Sequence, residues 1–111
     1  MYGRYGTIIA TPGKRDALLA ILVQAASGAD RMPGCRSYIV GAVLDDPNAI
    51  AVTEIWDDKA SHEDSLKLES VRETIGRARP LIAGFGPLSE FSPAAGVPGM
   101  GGTGSGGIPQ A

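Results

Sequence analysis

The stretch CRSYIVGAVLDDPNAIAVTEIW, residues 35–56, decides the fold of this chain. Its two outer runs, 35–44 and 49–56, are rich in β-branched residues, which favour extended backbone. Between them the residues DDPN favour a turn, because proline restricts φ and Asp and Asn side chains bond to nearby backbone groups. The pattern predicts a hairpin of two antiparallel strands.

A strand and a helix precede this hairpin. Residues 4–11, RYGTIIAT, have the composition of a strand and are stopped by Pro12-Gly13. Over residues 14–27 the apolar positions recur at the spacing of a helix with one buried side. This stripe consists of Leu18, Ile21, Leu22 and Ala25. Gly28 is expected to end the helix in the left-handed conformation, which glycine adopts without strain.

Two shorter helices are predicted after the hairpin. Asp58 is a good N-cap for a helix over residues 60–68, because its carboxylate can accept a bond from an unpaired backbone amide. Ser70 and Glu73 have the spacing of a capping box, in which each side chain bonds to a backbone amide of the other residue. A second helix is therefore expected from Ser70 to about Arg79.

The remaining chain completes the sheet and then changes composition. Residues 82–91 are expected to form the last strand, with a bulge or an edge position at Gly86-Pro87. The order β-α-β-β-α-α-β indicates an α+β fold of ferredoxin-like character, with an antiparallel sheet and helices on one face. Residues 1–91 are expected to form this domain, and the glycine-rich residues 92–111 a flexible tail.

Composition argues against several classes of partner and site. The 111 residues include 10 basic and 12 acidic ones without a block of like charge, so nucleic acid and membrane are not expected partners. Cys35 has no second cysteine for a disulfide, and one Cys with one His cannot supply a zinc site, so no metal is expected. Neither a signal peptide nor a membrane span is evident, and we expect a cytoplasmic protein.

The third strand predicts an interface between subunits. One of its faces carries Glu54 and Trp56 together with two aliphatic residues, and this face can lie against the helices. The other face carries Ala51, Thr53 and Ile55, and an exposed apolar sheet face usually marks an interface. Two such sheets packed face to face about a twofold axis would form a barrel, so a homodimer is expected.

Three short motifs in this order resemble the antibiotic biosynthesis monooxygenase (ABM) family, including its quinol monooxygenase-like members. They are PGCRSY at 33–38, TEIW at 53–56 and PLIAGF at 80–85, and the resemblance covers residues 4 to about 91. It implies a dimeric α/β barrel with a ligand pocket between the sheet and the helices of each subunit. It also implies oxidation of a quinol-like or polyphenolic aromatic by O2 without a cofactor.

The haem-degrading branch of the same family is a weaker match. In that branch an Asn on the first strand and a His on the helix form a triad with the aromatic residue that corresponds to Trp56. In this sequence Gly6 occupies the Asn position, and Ser65 or Leu66 the His position. Both partners of the triad are missing, so haem degradation is the less favoured activity.

His62 is the candidate catalytic residue. A quinol or anthrone that has lost a proton can pass one electron to O2 and then combine with the radical that results. The protein must accept that proton and exclude water. His62 has the one side chain whose ordinary pKa lies near neutrality, so it is the natural general base. The alternative is that His62 faces solvent on the polar helix surface.

Four residues are candidates for substrate binding. Trp56 either stacks on the ligand or fills the core, and Tyr38 can donate a hydrogen bond to a substrate oxygen or lie half exposed on its strand. Glu54 either enters the pocket or pairs with an arginine such as Arg36. Leu66 completes this set. A non-catalytic dimeric domain that binds a small aromatic molecule is the alternative function.

Overall fold

The predicted hairpin forms one side of the sheet in the computed structural model, which describes residues 1–96. The strands are β1 (Tyr2–Ala10), β2 (Cys35–Ala42), β3 (Ala49–Trp56), β4 (Ile82–Phe85) and β5 (Ser89–Phe91). The α-helices are α1 (Arg15–Ser27), α2 (Lys59–Ser65) and α3 (Glu69–Ala78), and short 3-10 turns cover Ala29–Arg31 and Arg79–Leu81. The expected α+β fold is confirmed.

All strand pairs of the sheet are antiparallel, and β1 lies at its middle. The order is β2-β3-β1-β4, and β5 also pairs with β1. Tyr2 lies opposite Trp56 and Ile8 opposite Ile50, so even-numbered residues of β1 and β3 share one face of the sheet. This alternation decides which side chains lie beneath the helices.

The core forms where α1 packs on that face. Leu18 and Leu22, both from the predicted stripe of α1, are buried against Ile50 and Val52 of β3. Ala78 at the end of α3 belongs to the same cluster. Complete burial of one such aliphatic side chain stabilises the fold by about 1.5–3 kcal/mol. The firm packing is therefore concentrated between α1 and the sheet.

The predicted ends of the helices were only partly correct. Asp58 does cap α2, since its Oδ1 accepts a hydrogen bond from the Ser61 amide at 2.7 Å. Gly28 is not left-handed, because its φ is −102° and the chain continues directly into a 3-10 turn.

The capping box was also a wrong prediction. α2 ends at Ser65 rather than at residue 68, and Ser70 lies inside α3. The Leu68 carbonyl already accepts a bond from the Arg72 amide at 3.0 Å. Leu68 is therefore the N-cap residue of α3, and no side chain caps this helix end.

The last predicted strand is two strands separated near Gly86-Pro87. Proline has no amide hydrogen for the ladder, so pairing with β1 stops after β4 and resumes at β5. Residues 92–96, the start of the predicted tail, form no helix or strand. The rest of that predicted tail, residues 97–111, lies outside the described residues.

The face of the sheet away from the helices carries large apolar side chains. Tyr5 and Ile39 both flank Thr53 in register, and Ile39 is 62% exposed. Phe91 lies over Gly3, on the same side, and is also exposed. Ile55, expected to be part of this exposed surface, is already buried within the single chain. Among residues 1–96 no helix has the length and apolar character to cross a membrane.

Candidate functional site

A cavity of about 1200 Å³ lies between the helices and the sheet. α1 packs tightly on the sheet near Leu22, whereas α3 touches it firmly at Ala78 only, and the space between them stays open. Apolar residues form much of the wall. They include Ile8, Val52, Leu66, Val71, Ile75, Ile82, Phe85 and Leu88.

The strand register brings a cluster of polar side chains to this cavity. Arg4 of β1 lies directly opposite Glu54 of β3, and both point beneath the helices. The N-cap at Asp58 starts α2 just beyond β3, so that His62 reaches the same place one turn later. Arg4, Glu54 and His62 therefore meet although they come from three different elements.

His62 is buried, with 7% of its surface exposed, and so it does not face solvent. Its Nδ1 lies 3.2 Å from Nη1 of Arg4. A guanidinium can only donate, so Nδ1 is the acceptor and the imidazole proton is on Nε2. That Nε2 lies 3.8 Å from Oε1 of Glu54. Burial, and then the positive charge of Arg4, lower the pKa of His62, which keeps the ring neutral.

Glu54 is held in the cavity by two partners. The indole N–H of Trp56 donates to its Oε1 at 3.1 Å, and Nε of Arg4 lies 3.7 Å from its Oε2. Burial raises the pKa of Glu54, while the Trp56 hydrogen bond and the Arg4 charge oppose that rise. Glu54 thus both enters the cavity and pairs with an arginine, but this arginine is Arg4 and not the suggested Arg36, which bonds to the exposed Asp57.

The other predicted site residues differ in whether they line the cavity or stand behind its wall. Trp56 is 1% exposed and stands behind His62, with the two rings edge to face and their centroids 5.6 Å apart. Tyr38 lines the cavity, and burial raises its pKa to about 12, so its hydroxyl stays protonated. Leu66 lines the cavity at a more exposed point. Cys35 is half-buried, and burial raises the pKa of its thiol.

Sequence reasoning missed Arg4 and the residues that hold it. Nη1 of Arg4 also donates to the Tyr2 hydroxyl at 3.2 Å, and that hydroxyl donates to Oε2 of Glu90 at 2.6 Å. Lys59 lies 3.3 Å from the same carboxylate oxygen. The two-residue period of β1 was the available signal, because it puts Tyr2 and Arg4 on one face. In the part of the chain that is described, no group of three or more His, Cys, Asp or Glu could hold a metal ion.

Comparisons with known proteins agree with this architecture. The family model described as antibiotic biosynthesis monooxygenase matches residues 1–77. A solved structure of a candidate antibiotic biosynthesis monooxygenase from Chloroflexus aurantiacus J-10-fl has 50% sequence identity and a TM-score of 0.78. The match covers 86% of this chain and 94% of that chain.

A second solved structure, from Deinococcus radiodurans, has 24% identity and a TM-score of 0.74. That match covers 91% of this chain and 100% of the other, and at this identity the likeness concerns the fold alone. No curated protein matches the sequence.

Proposed function

Since this chain belongs to the antibiotic biosynthesis monooxygenase family, we propose that it oxidises a quinol-like or polyphenolic aromatic with O2 and without a cofactor. The observation that carries the proposal is the polar cluster of Arg4, Glu54 and His62 on one wall of a largely apolar cavity. Such a cavity suits a planar aromatic molecule that presents a hydroxyl group at one end.

Proton removal is the first step that this cluster supports. A substrate hydroxyl that enters between Arg4 and His62 can accept the Nη1–H of Arg4, which releases Nδ1 of His62. The neutral imidazole then takes the hydroxyl proton at Nδ1. Oε1 of Glu54, 3.8 Å from Nε2, stabilises the imidazolium, and Arg4 stabilises the phenolate.

The phenolate then supplies the electrons that O2 needs. One electron passes to O2, and the resulting superoxide and aryloxyl radical combine at a ring carbon that bears hydrogen. The imidazolium of His62 returns its proton to the peroxide, and the ring C–H proton leaves as the O–O bond breaks. One oxygen atom stays in the product as a carbonyl, and the other leaves as water.

Other residues of the cavity support the same chemistry. The Tyr38 hydroxyl, which stays protonated, can donate a hydrogen bond to a substrate oxygen. Leu66 and the apolar residues of α3 cover the ring and exclude water from the peroxide. Trp56 keeps His62 and Glu54 in position from behind, through its ring contact and its indole N–H.

A homodimer is part of the proposal. The exposed side chains of Tyr5, Ile39 and Phe91 on the open sheet face would be covered by a second copy of the chain. Because the cavity lies on the opposite side of the sheet, each subunit would keep its own site.

Oxygen uptake tests the catalytic proposal directly. Purified protein, free of added flavin and metal, is mixed with a panel of quinols and anthrones in an oxygen electrode. We expect uptake with at least one of them, a large loss for His62→Gln, and normal uptake for Glu63→Gln. Glu63 is the matched control, because it is the exposed neighbour of His62 on α2. Equal rates for the two variants, or no uptake at all, would contradict the proposal.

Non-catalytic binding of an aromatic molecule is the second candidate, and one observation favours it. At rest Arg4 already occupies Nδ1 of His62, the atom that must accept the proton. If no ligand displaces this contact, the cavity can bind but cannot deprotonate. The same panel then raises the melting temperature without oxygen uptake.

A further inference from the structure

One nitrogen atom of Arg4 holds two hydrogen bonds at once. Nη1 of a guanidinium carries two hydrogens. Nδ1 of His62 accepts one of them and the Tyr2 hydroxyl accepts the other, each at 3.2 Å. In the proposed proton removal the first hydrogen leaves His62 and goes to the substrate hydroxyl. The bond to Tyr2 takes no part in that exchange, so it is a contact that can keep Nη1 in place throughout.

The Tyr2 hydroxyl is oriented to accept a bond from Arg4. Its single hydrogen is donated to Oε2 of Glu90 at 2.6 Å, which leaves a lone pair for Nη1. Glu90 lies directly opposite Arg4 on the neighbouring β5, so the two side chains share one face of the sheet. Burial, and then the bond to Glu90, raise the pKa of Tyr2, so the hydroxyl keeps its hydrogen.

This row of contacts is not a path for protons. A guanidinium stays charged at every pH that the protein meets, and Arg4 stands between His62 and Tyr2. A proton taken up by His62 therefore cannot pass along the row to Glu90. The row serves to fix a position. Glu54 is only 3.7 Å from Nε of Arg4, and this contact alone would leave the terminal nitrogens of the guanidinium free to turn.

We propose that Tyr2 is a positioning residue, which holds Nη1 of Arg4 in place while one hydrogen of that atom passes from His62 to the substrate hydroxyl. Within residues 1–96, Arg4 and His62 line the cavity whereas Tyr2 does not, so Tyr2 acts on the substrate through Arg4. The inference rests on the proposed function for its substrate. The hold on Arg4 exists without a substrate and can be measured by itself.

NMR titration of His62 in Tyr2→Phe tests that hold. Phenylalanine keeps the ring, whose centroid lies 6.1 Å from that of His62, and removes only a neutral hydroxyl. Because the Arg4 charge lowers the pKa of His62, a guanidinium that turns away should let this pKa rise. We expect a rise toward the value in Arg4→Met but not above it. Tyr5→Phe is the matched control, because it is the same change on the other face of β1, and it should leave the pKa unchanged.

The same substitution in an Arg4→Met background excludes other causes of the rise. Four further charged residues surround the ring of His62: Glu54, Lys59, Glu63 and Glu90. If Tyr2 acts through Arg4, Tyr2→Phe should not change the pKa of His62 once Arg4 is absent. An equal rise in both backgrounds would overturn the inference, and so would an unchanged or lower pKa in Tyr2→Phe alone.

Oxygen uptake then tests the role of Tyr2 with a substrate. Tyr2→Phe should lower kcat/KM roughly two- to tenfold, the worth of one hydrogen bond, and should cost much less than His62→Gln. The acid limb of the kcat/KM profile should move to higher pH together with the pKa of His62, because the base must be unprotonated. A full kcat/KM despite the raised pKa would overturn the inference. A raised pKa without uptake by the native chain refutes the proposed reaction alone, and uptake with an unchanged pKa in Tyr2→Phe refutes the inference alone.

Discussion

Arg4→Met tests whether the polar cluster is held together by charge. Methionine keeps much of the aliphatic stem of Arg4 but removes the guanidinium, which leaves Glu54 without its cation and Nδ1 of His62 without its donor. A broken buried ion pair costs about 3–5 kcal/mol and an exposed one about 0–1 kcal/mol. The side chains of Arg4 and Glu54 are 24% and 14% exposed, so this pair is neither fully buried nor fully exposed. We therefore expect a loss of about 1–3 kcal/mol in the free energy of unfolding at pH 8.

The loss in the free energy of unfolding caused by Arg4→Met should become smaller as the pH falls. Burial already raises the pKa of Glu54, and without Arg4 one of the two influences that oppose this rise is gone. A carboxyl group whose pKa is higher in the folded state than in the unfolded state destabilises the fold as the pH rises through these values. The cost of Arg4→Met should thus be largest at pH 8 and should decrease toward pH 5, as Glu54 takes up a proton.

Urea unfolding followed by circular dichroism, at one fixed protein concentration, measures both effects. Arg36→Met is the matched control, because it breaks the exposed pair with Asp57 and should cost less than about 1 kcal/mol at either pH. In a Glu54→Gln background, Arg4→Met should cost clearly less than in the native chain. An equal cost in both backgrounds, or a cost that grows toward pH 5, would refute the reasoning.

Three further predictions concern other parts of the molecule. NMR titration of the single histidine should give a pKa for His62 below the ordinary 6.5, and Arg4→Met should raise that pKa. The same pKa in the variant and the native chain would show that the Arg4 charge has no influence. Gly34→Ala should lower the free energy of unfolding by roughly 2–3 kcal/mol and Gly13→Ala by roughly 1 kcal/mol, measured in urea. Both glycines have a positive φ, but only at Gly34 would an added Cβ collide with α2, so equal losses would contradict this prediction. Ile39→Lys should give a folded monomer in sedimentation, whereas a persistent dimer would argue against the open sheet face as the interface.

The first three strands and the approximate positions of the helices were determined by the sequence alone. β3 has the predicted bounds, because a two-residue period ended by a turn is encoded within a few neighbouring residues. The Asp58 cap was predictable for the same reason, since its bond spans three residues. The capping box at Ser70 failed although it fits locally, because the N-cap of α3 is Leu68, two residues earlier.

The site itself was decided by tertiary structure. Arg4 meets Glu54 only because β1 and β3 pair in one particular register, and a shift of one residue would move Arg4 to the other face of the sheet. His62 is buried because of the way α2 packs beside these strands, which its polar neighbours in sequence do not indicate. The cavity exists because α3 stands away from the sheet. Contacts between residues far apart in the chain depend on how whole elements pack, and a pattern of neighbouring residues carries no information about that.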